Sequence, residues 1–95
     1  FTVGSFDKGK SGVIIPEGVT AFEPSTFMGN KCDFVVIPES LEPNVTKDAF
    51  KAANKNIHLY FIGNTTKTKD TLEVIAVYKI QGVGWDYVNG APQAL

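Results

Sequence analysis

The chain has no arginine; all nine of its basic residues are lysine. The side chain best suited to bidentate reading of phosphate and guanine is therefore missing. The formal net charge is −1, so the charge balance calls for neither nucleic acid nor an acidic membrane as partner. One cysteine, Cys32, excludes an internal disulfide and a Cys-rich metal site, and one histidine, His58, excludes a multi-histidine site. No apolar run approaches the roughly 20 residues that cross a bilayer as a helix, so membrane insertion is not expected. No signal peptide is visible, and the chain opens on Phe1 rather than Met, as expected of a processed product or a piece of something longer.

What remains is ordinary for a folded domain. The 95 residues are 43% apolar and 20% charged, which argues for a globule and against disorder. That length allows one domain, 1–95, with a thin core that buries about 60–65% of the unfolded surface. Residues 1–11 read as a strand and a Gly/Lys turn. Residues 12–62 alternate short apolar strands with Pro and small-residue turns. Residues 63–71 (GNTTKTKDT) read as a polar loop, and 72–88 as two strands broken at Gly82–Gly84, a hairpin. The tail 89–95 reads as irregular. The best helical candidate is 47–53, with Thr46 as N-cap, Asp48 at the positive end of the dipole and alanines of high propensity.

The middle zone repeats itself. Val13, Ile15, Pro16 and Val19 fall on Val35, Ile37, Pro38 and Leu41 with a shift of 22 residues. Phe22 and Phe27 fall on Val45 and Phe50 with a shift of 23, and Ile57–Phe61 starts a partial third copy. Each unit is a short strand that stops at Pro, which has no N–H to give a ladder. The few apolar residues that follow are too sparse to bury one another. A unit of this kind cannot hide its own apolar face, and stacked copies can, which is the logic of a solenoid.

The run Ile15-Pro16-Glu17-Gly18-Val19-Thr20-Ala21-Phe22-Glu23-Pro24-Ser25-Thr26-Phe27, with its second copy from Ile37-Pro38 through Leu41 and Val45 to Ala49-Phe50, resembles the BspA-like (Treponema pallidum type) leucine-rich repeat. The resemblance covers about half of the chain. Glu23 stands where the pattern usually has Gly, Asn30 and Ala53 where it has Cys, and Ile62 where the third copy would have Pro. The resemblance implies short parallel strands stacked as a solenoid. It also implies a surface adhesin or a host- or matrix-binding role. The expected fold is thus mainly β with short helical turns: a leucine-rich-repeat-like solenoid fragment of two to three repeats, capped by a C-terminal β-hairpin.

Strand alternation assigns the two faces. With Val13, Ile15, Val35, Ile37, Leu59 and Phe61 turned into the core, the opposite face carries Ile14, Phe34, Val36, His58 and Tyr60. That second row is apolar and aromatic. It either contacts a partner or lies beneath the 72–88 hairpin, because parallel strands are usually buried on both faces.

Other motifs weigh less. Gly4–Ser11 matches the phosphate-cradling pattern G-x-x-x-x-G-K-S, yet Gly12-Val13-Ile14-Ile15-Pro16 follows it, a strand where the chemistry needs a helix. Asn44-Val45-Thr46 and Asn64-Thr65-Thr66 fit the N-glycosylation sequon. Asn64 is the more accessible of the two, since Val45 is a core position. Cys32 reads as a small buried residue with no base beside it. The carboxylate pairs Glu39/Glu42 and Glu17/Glu23 stand at turns beside Pro and read as solvated. Trp85-Asp86-Tyr87 reads as hairpin core or as a stacking site for carbohydrate or peptide.

No catalytic constellation, cofactor or metal site is expected. The function expected is a non-catalytic extracellular or cell-surface adhesion module that recognises a protein or carbohydrate, with neighbouring repeats of a longer parent chain as further contacts. A structural piece of a larger assembly such as a virion or tail protein is the second reading. A nucleotide-binding enzyme through 4–11 is a distant third.

Overall fold

The computed structural model describes residues 12–21, 33–47 and 56–95. Its elements are β1 (Gly12–Ile14), β2 (Phe34–Ile37), a 3-10 turn (Glu42–Asn44), β3 (His58–Phe61), α1 (Lys69–Leu72), β4 (Ala76–Lys79), β5 (Trp85–Val88) and β6 (Ala91–Ala94). The 4–11 loop, Phe22, Phe27, Cys32, Phe50 and the 48–53 portion of the expected helix lie outside the described residues.

β1 to β4 form one parallel sheet in chain order, and β5 and β6 form a separate antiparallel hairpin. Val13, Val35, Leu59 and Val77 stand at one level across the four parallel strands, in register. The first three are the residues aligned by the sequence repeat. Apolar side chains of one parity share a face, and here that face joins a core of Val13, Ile15, Val35, Ile37, Leu41, Val45, Ile57, Leu59, Phe61, Leu72 and Val74. Burying each such side chain is worth about 1.5–3 kcal/mol against exposure. No single 22-residue unit holds more than a few of them, so cohesion comes from neighbours.

Polar contacts tie the turns together in the same pattern. After each strand that ends in Pro the chain turns sharply: Val19 N donates to Pro16 O at 3.5 Å, and Leu41 N to Pro38 O at 3.1 Å. The second turn grips the first. The Ser40 hydroxyl accepts from Gly18 N and donates to Val19 O, each at 2.9 Å, while Ser40 N donates to Glu17 Oε1. In the third row Ile62 replaces Pro, and its N–H donates to Ile37 O at 3.0 Å. The ladder thus gains a rung that Pro cannot supply.

Three expected segments are corrected. The stretch 72–88 is not a hairpin: β4 within it runs parallel to β3 as the fourth strand of the sheet. The hairpin lies at 85–94 instead, and it includes the tail that read as irregular. Its two-residue loop is Asn89-Gly90, with φ of 55° and 83° between the paired Val88 and Ala91. Positive φ at both positions is what a type I′ turn requires, and its twist matches that of the flanking strands. The polar stretch 63–71 also holds the start of α1, whose N-cap Thr68 accepts from Thr71 N through its side chain. This turn sets Leu72 into the core at 1% exposure.

Candidate functional site

The second face of the sheet carries a row of rings. Phe34 and His58 stand at one level of β2 and β3, and Val36, Tyr60 and Tyr78 at the next level across β2, β3 and β4. Because the strands are in register, the rings meet side by side. Tyr60 and Tyr78 stack with centroids 4.9 Å apart and planes 17° apart. His58 and Tyr78 lie 6.1 Å apart and nearly parallel, at 3°. Phe34 meets Tyr60 edge-on at 6.3 Å. Offset and edge-on pairs of this kind are worth about 0.5–1.5 kcal/mol beyond area burial.

Trp85 closes part of this face. Its ring lies 5.2 Å from Tyr60, and its indole N–H donates to Phe61 O at 2.9 Å. With Val36 and Tyr60 it makes a second, smaller core, packed by Phe34, Ile62 and Tyr78. Tyr87 meets Trp85 edge-on at 5.2 Å and continues the rings outward, half-exposed.

The structure therefore divides the five residues of the expected partner face. Val36, at 0% exposure, and Tyr60 are core beneath Trp85 and are not presented to a partner. The reason is the one general to parallel sheets, which bury both faces; the cover comes from β5 in the 85–94 hairpin. Ile14 stays 54% exposed on the edge strand β1. Phe34 and His58 are half-buried, and Nδ1 of His58 is buried with no hydrogen-bond partner. Tyr78 and Tyr87 belong to the same surface. Nothing in the sequence pattern marks Tyr78, because its strand reads as part of a hairpin.

Burial shapes the phenols. The Tyr60 hydroxyl is pushed above the usual tyrosine range by burial and, second, by Tyr78 beside it. Tyr87 is raised by burial and then by the Asp86 carboxylate. Asp86 accepts from Tyr87 N at 2.7 Å and from the Gln81 amide at 3.3 Å. These rings are neutral, amphipathic contact groups at ordinary pH.

The remaining candidates sit apart from the rings. Asn64 is exposed, and its side-chain oxygen accepts from Thr65 N. Asn44 is exposed as well, but its carboxamide donates to Thr20 O, and the next residue, Val45, is buried. Glu42 is not the solvated carboxylate that the sequence suggested. The Thr65 hydroxyl donates to it at 2.7 Å and the Lys67 ammonium lies 3.2 Å away, both reaching back from the polar stretch. Thr65 is itself buried. Glu17 is tied to Ser40 N, and Glu39 is exposed. Among the described residues, no three His, Cys, Asp or Glu side chains gather as a metal site, and no helix is long and apolar enough to cross a membrane. Compared with protein-family models, with curated proteins and with solved structures, the chain matches none of them.

Proposed function

We propose that the chain is a non-catalytic binding module of the BspA-like leucine-rich-repeat type, working outside the cell or at its surface. Its partner is a protein or a carbohydrate met by the aromatic second face of the sheet. The observation that carries this reading is the ring row itself: Phe34, His58 and Tyr78 at the surface of β2 to β4, bounded by exposed Ile14 and half-exposed Tyr87. Amphipathic rings held rigid by stacking offer contact area at low entropic cost, the usual recipe for an interface hot spot. The equal register of Val13, Val35 and Leu59 supports the repeat reading.

The test is retention of the purified chain on a printed glycan array and on immobilised matrix proteins. Ile14→Ser with Tyr78→Ser should abolish retention while the far-UV circular dichroism stays unchanged. Undiminished retention by that double variant would remove the aromatic face from the reading. A second reading, a structural piece of a larger assembly, is favoured by the exposure of Val83 (70%) and Leu95 (69%). Sedimentation at high concentration separates the two, because an obligate assembly piece does not remain a clean monomer.

A further inference from the structure

The outer edge of β4 offers a different surface. β4 closes the parallel sheet, with β3 on one side and no strand among the described residues along its other edge. An edge strand presents a row of N–H and C=O groups that can pair with another strand. Beside that edge lies an open cleft of about 470 Å³, lined by Lys67, Thr68, Lys69, Ile75, Ala76, Val77 and Lys79. Its floor is apolar: Ile75 is 46% exposed, and Val77 packs on the core with one side still open. Its rim is cationic. The Lys67 charge is balanced by Glu42. Among the described residues Lys79 reaches only a carbonyl, Thr65 O at 3.3 Å, and no carboxylate. Lys69 has no ion-pair partner among the described residues, and the nearby acid Glu73 faces Lys47 at 3.9 Å.

We propose that this cleft takes an extended acidic peptide, which adds as a fifth strand along β4. An apolar side chain of the peptide would rest on Ile75 and Val77 while its carboxylates meet Lys69 and Lys79. Main-chain pairing supplies affinity and the side chains supply choice, as in strand-addition complexes generally. Charge complementarity selects this occupant over a second copy of the chain. A copy stacked head to tail would bring β1, and Gly12–Ile14 carries no acid to meet the two ammonium groups. Lysines along an edge also repel the lysine-bearing edge of a like chain.

The experiment is a fluorescence-anisotropy titration of the full chain with a labelled octapeptide, Glu-Thr-Val-Thr-Glu-Thr-Val-Thr, whose glutamates and valines share one face of the added strand. Saturable binding is expected. The glutamine counterpart should bind about tenfold more weakly, and salt should weaken the acidic peptide further. Lys69→Glu, and Lys69→Glu with Lys79→Glu, should each lower affinity, the pair by about tenfold or more. Unchanged fluorescence of the buried Trp85 would verify that both variants are folded. A peptide N-methylated along its backbone should fail to bind, since it cannot pair with the edge. Ile14→Ser should leave this binding intact, because it lies on β1 at the far edge of the sheet, so failure here is distinct from failure of the aromatic reading. Equal binding of the glutamine peptide, equal binding of the N-methylated peptide, or indifference to the lysine substitutions would each overturn the proposal. So would self-association of the wild type that Lys69→Glu leaves unchanged and that excludes the peptide.

Discussion

The Trp85 indole donates its N–H to the carbonyl of Phe61, 24 residues earlier, across the gap between the hairpin and the sheet. That bond sits at the end of β3, where the parallel ladder finishes and a carbonyl would otherwise be stranded. It also fixes the ring over Val36 and Tyr60. Trp85→Phe keeps most of the apolar area but leaves the Phe61 carbonyl without its donor, at a cost of about 1–3 kcal/mol. Trp85→Ala adds the loss of a large ring and costs about 3–5 kcal/mol. Urea unfolding followed by circular dichroism reads both, since Trp85 is the chain's one tryptophan. If the two variants match in stability, the hydrogen bond rather than area holds the hairpin to the sheet.

Gly12 and Phe34 are paired across β1 and β2, and a Cβ on Gly12 would fall 2.1 Å from the Phe34 ring. Only a residue with no side chain lets that ring lie flat across the edge strand. Gly12→Ala should therefore cost about 1–3 kcal/mol by overpacking. With Phe34→Ala already in place the clash is gone. The same glycine substitution should then be neutral or stabilising by up to about 1 kcal/mol, since glycine is the poorer strand former. A four-member double-mutant cycle measured in urea gives the coupling, and a coupling near zero would mean that the ring moves aside freely.

The repeat was readable because Pro16 and Pro38 punctuate two strands with the same apolar spacing, and register follows from spacing when each strand buries one face. Val13, Val35 and Leu59 align for that reason. β4 was not readable in the same way. Only 18 residues separate Leu59 from Val77, the Pro mark is absent at Ile62, and Gly82 and Gly84 offered a competing turn. The true hairpin turn, Asn89-Gly90, carries the strongest two-residue signal for a type I′ loop. It was masked by Pro92, which reads as a strand breaker yet is tolerated in a strand with only one neighbour, as β6 is. Of the expected partner face, the alternation gave the right side for all five residues. It could not tell which of them Trp85 would cover, because that contact spans 25–49 residues and leaves no local pattern.

Ile80 holds φ at 64°, in the left-handed region that β-branched residues avoid. It is kept there by its surroundings: its N–H donates to Gly63 O, and its carbonyl accepts from Val83 N and Gly84 N. The side chain is 37% exposed, so little burial offsets the strain. Ile80→Asn places a residue that tolerates this conformation at the same point and should raise stability by about 1 kcal/mol. Thermal and urea unfolding should agree on the sign. A loss of stability would show that the Ile80 side chain contributes more packing than its exposure suggests.

The Glu42 carboxyl is held below its ordinary value of 4.5, first by the Thr65 hydroxyl and then by Lys67, against the opposing effect of partial burial. A carboxyl whose folded pKa is depressed binds protons more readily in the unfolded chain. Its contribution to stability is therefore full above the ordinary value and is lost as pH falls through that value toward the folded one. Glu42→Gln should lower stability at neutral pH and flatten the decline as pH falls below about 5, so that the variant and wild-type curves converge in acid. Thr65→Val should reduce the acid slope more than Lys67→Met does, because the hydroxyl is the larger cause and the side chains of Lys67 and Glu42 are 20% and 23% exposed to screening solvent. Urea midpoints collected across that range decide the matter: an acid slope that survives Glu42→Gln unchanged would assign it to other carboxylates.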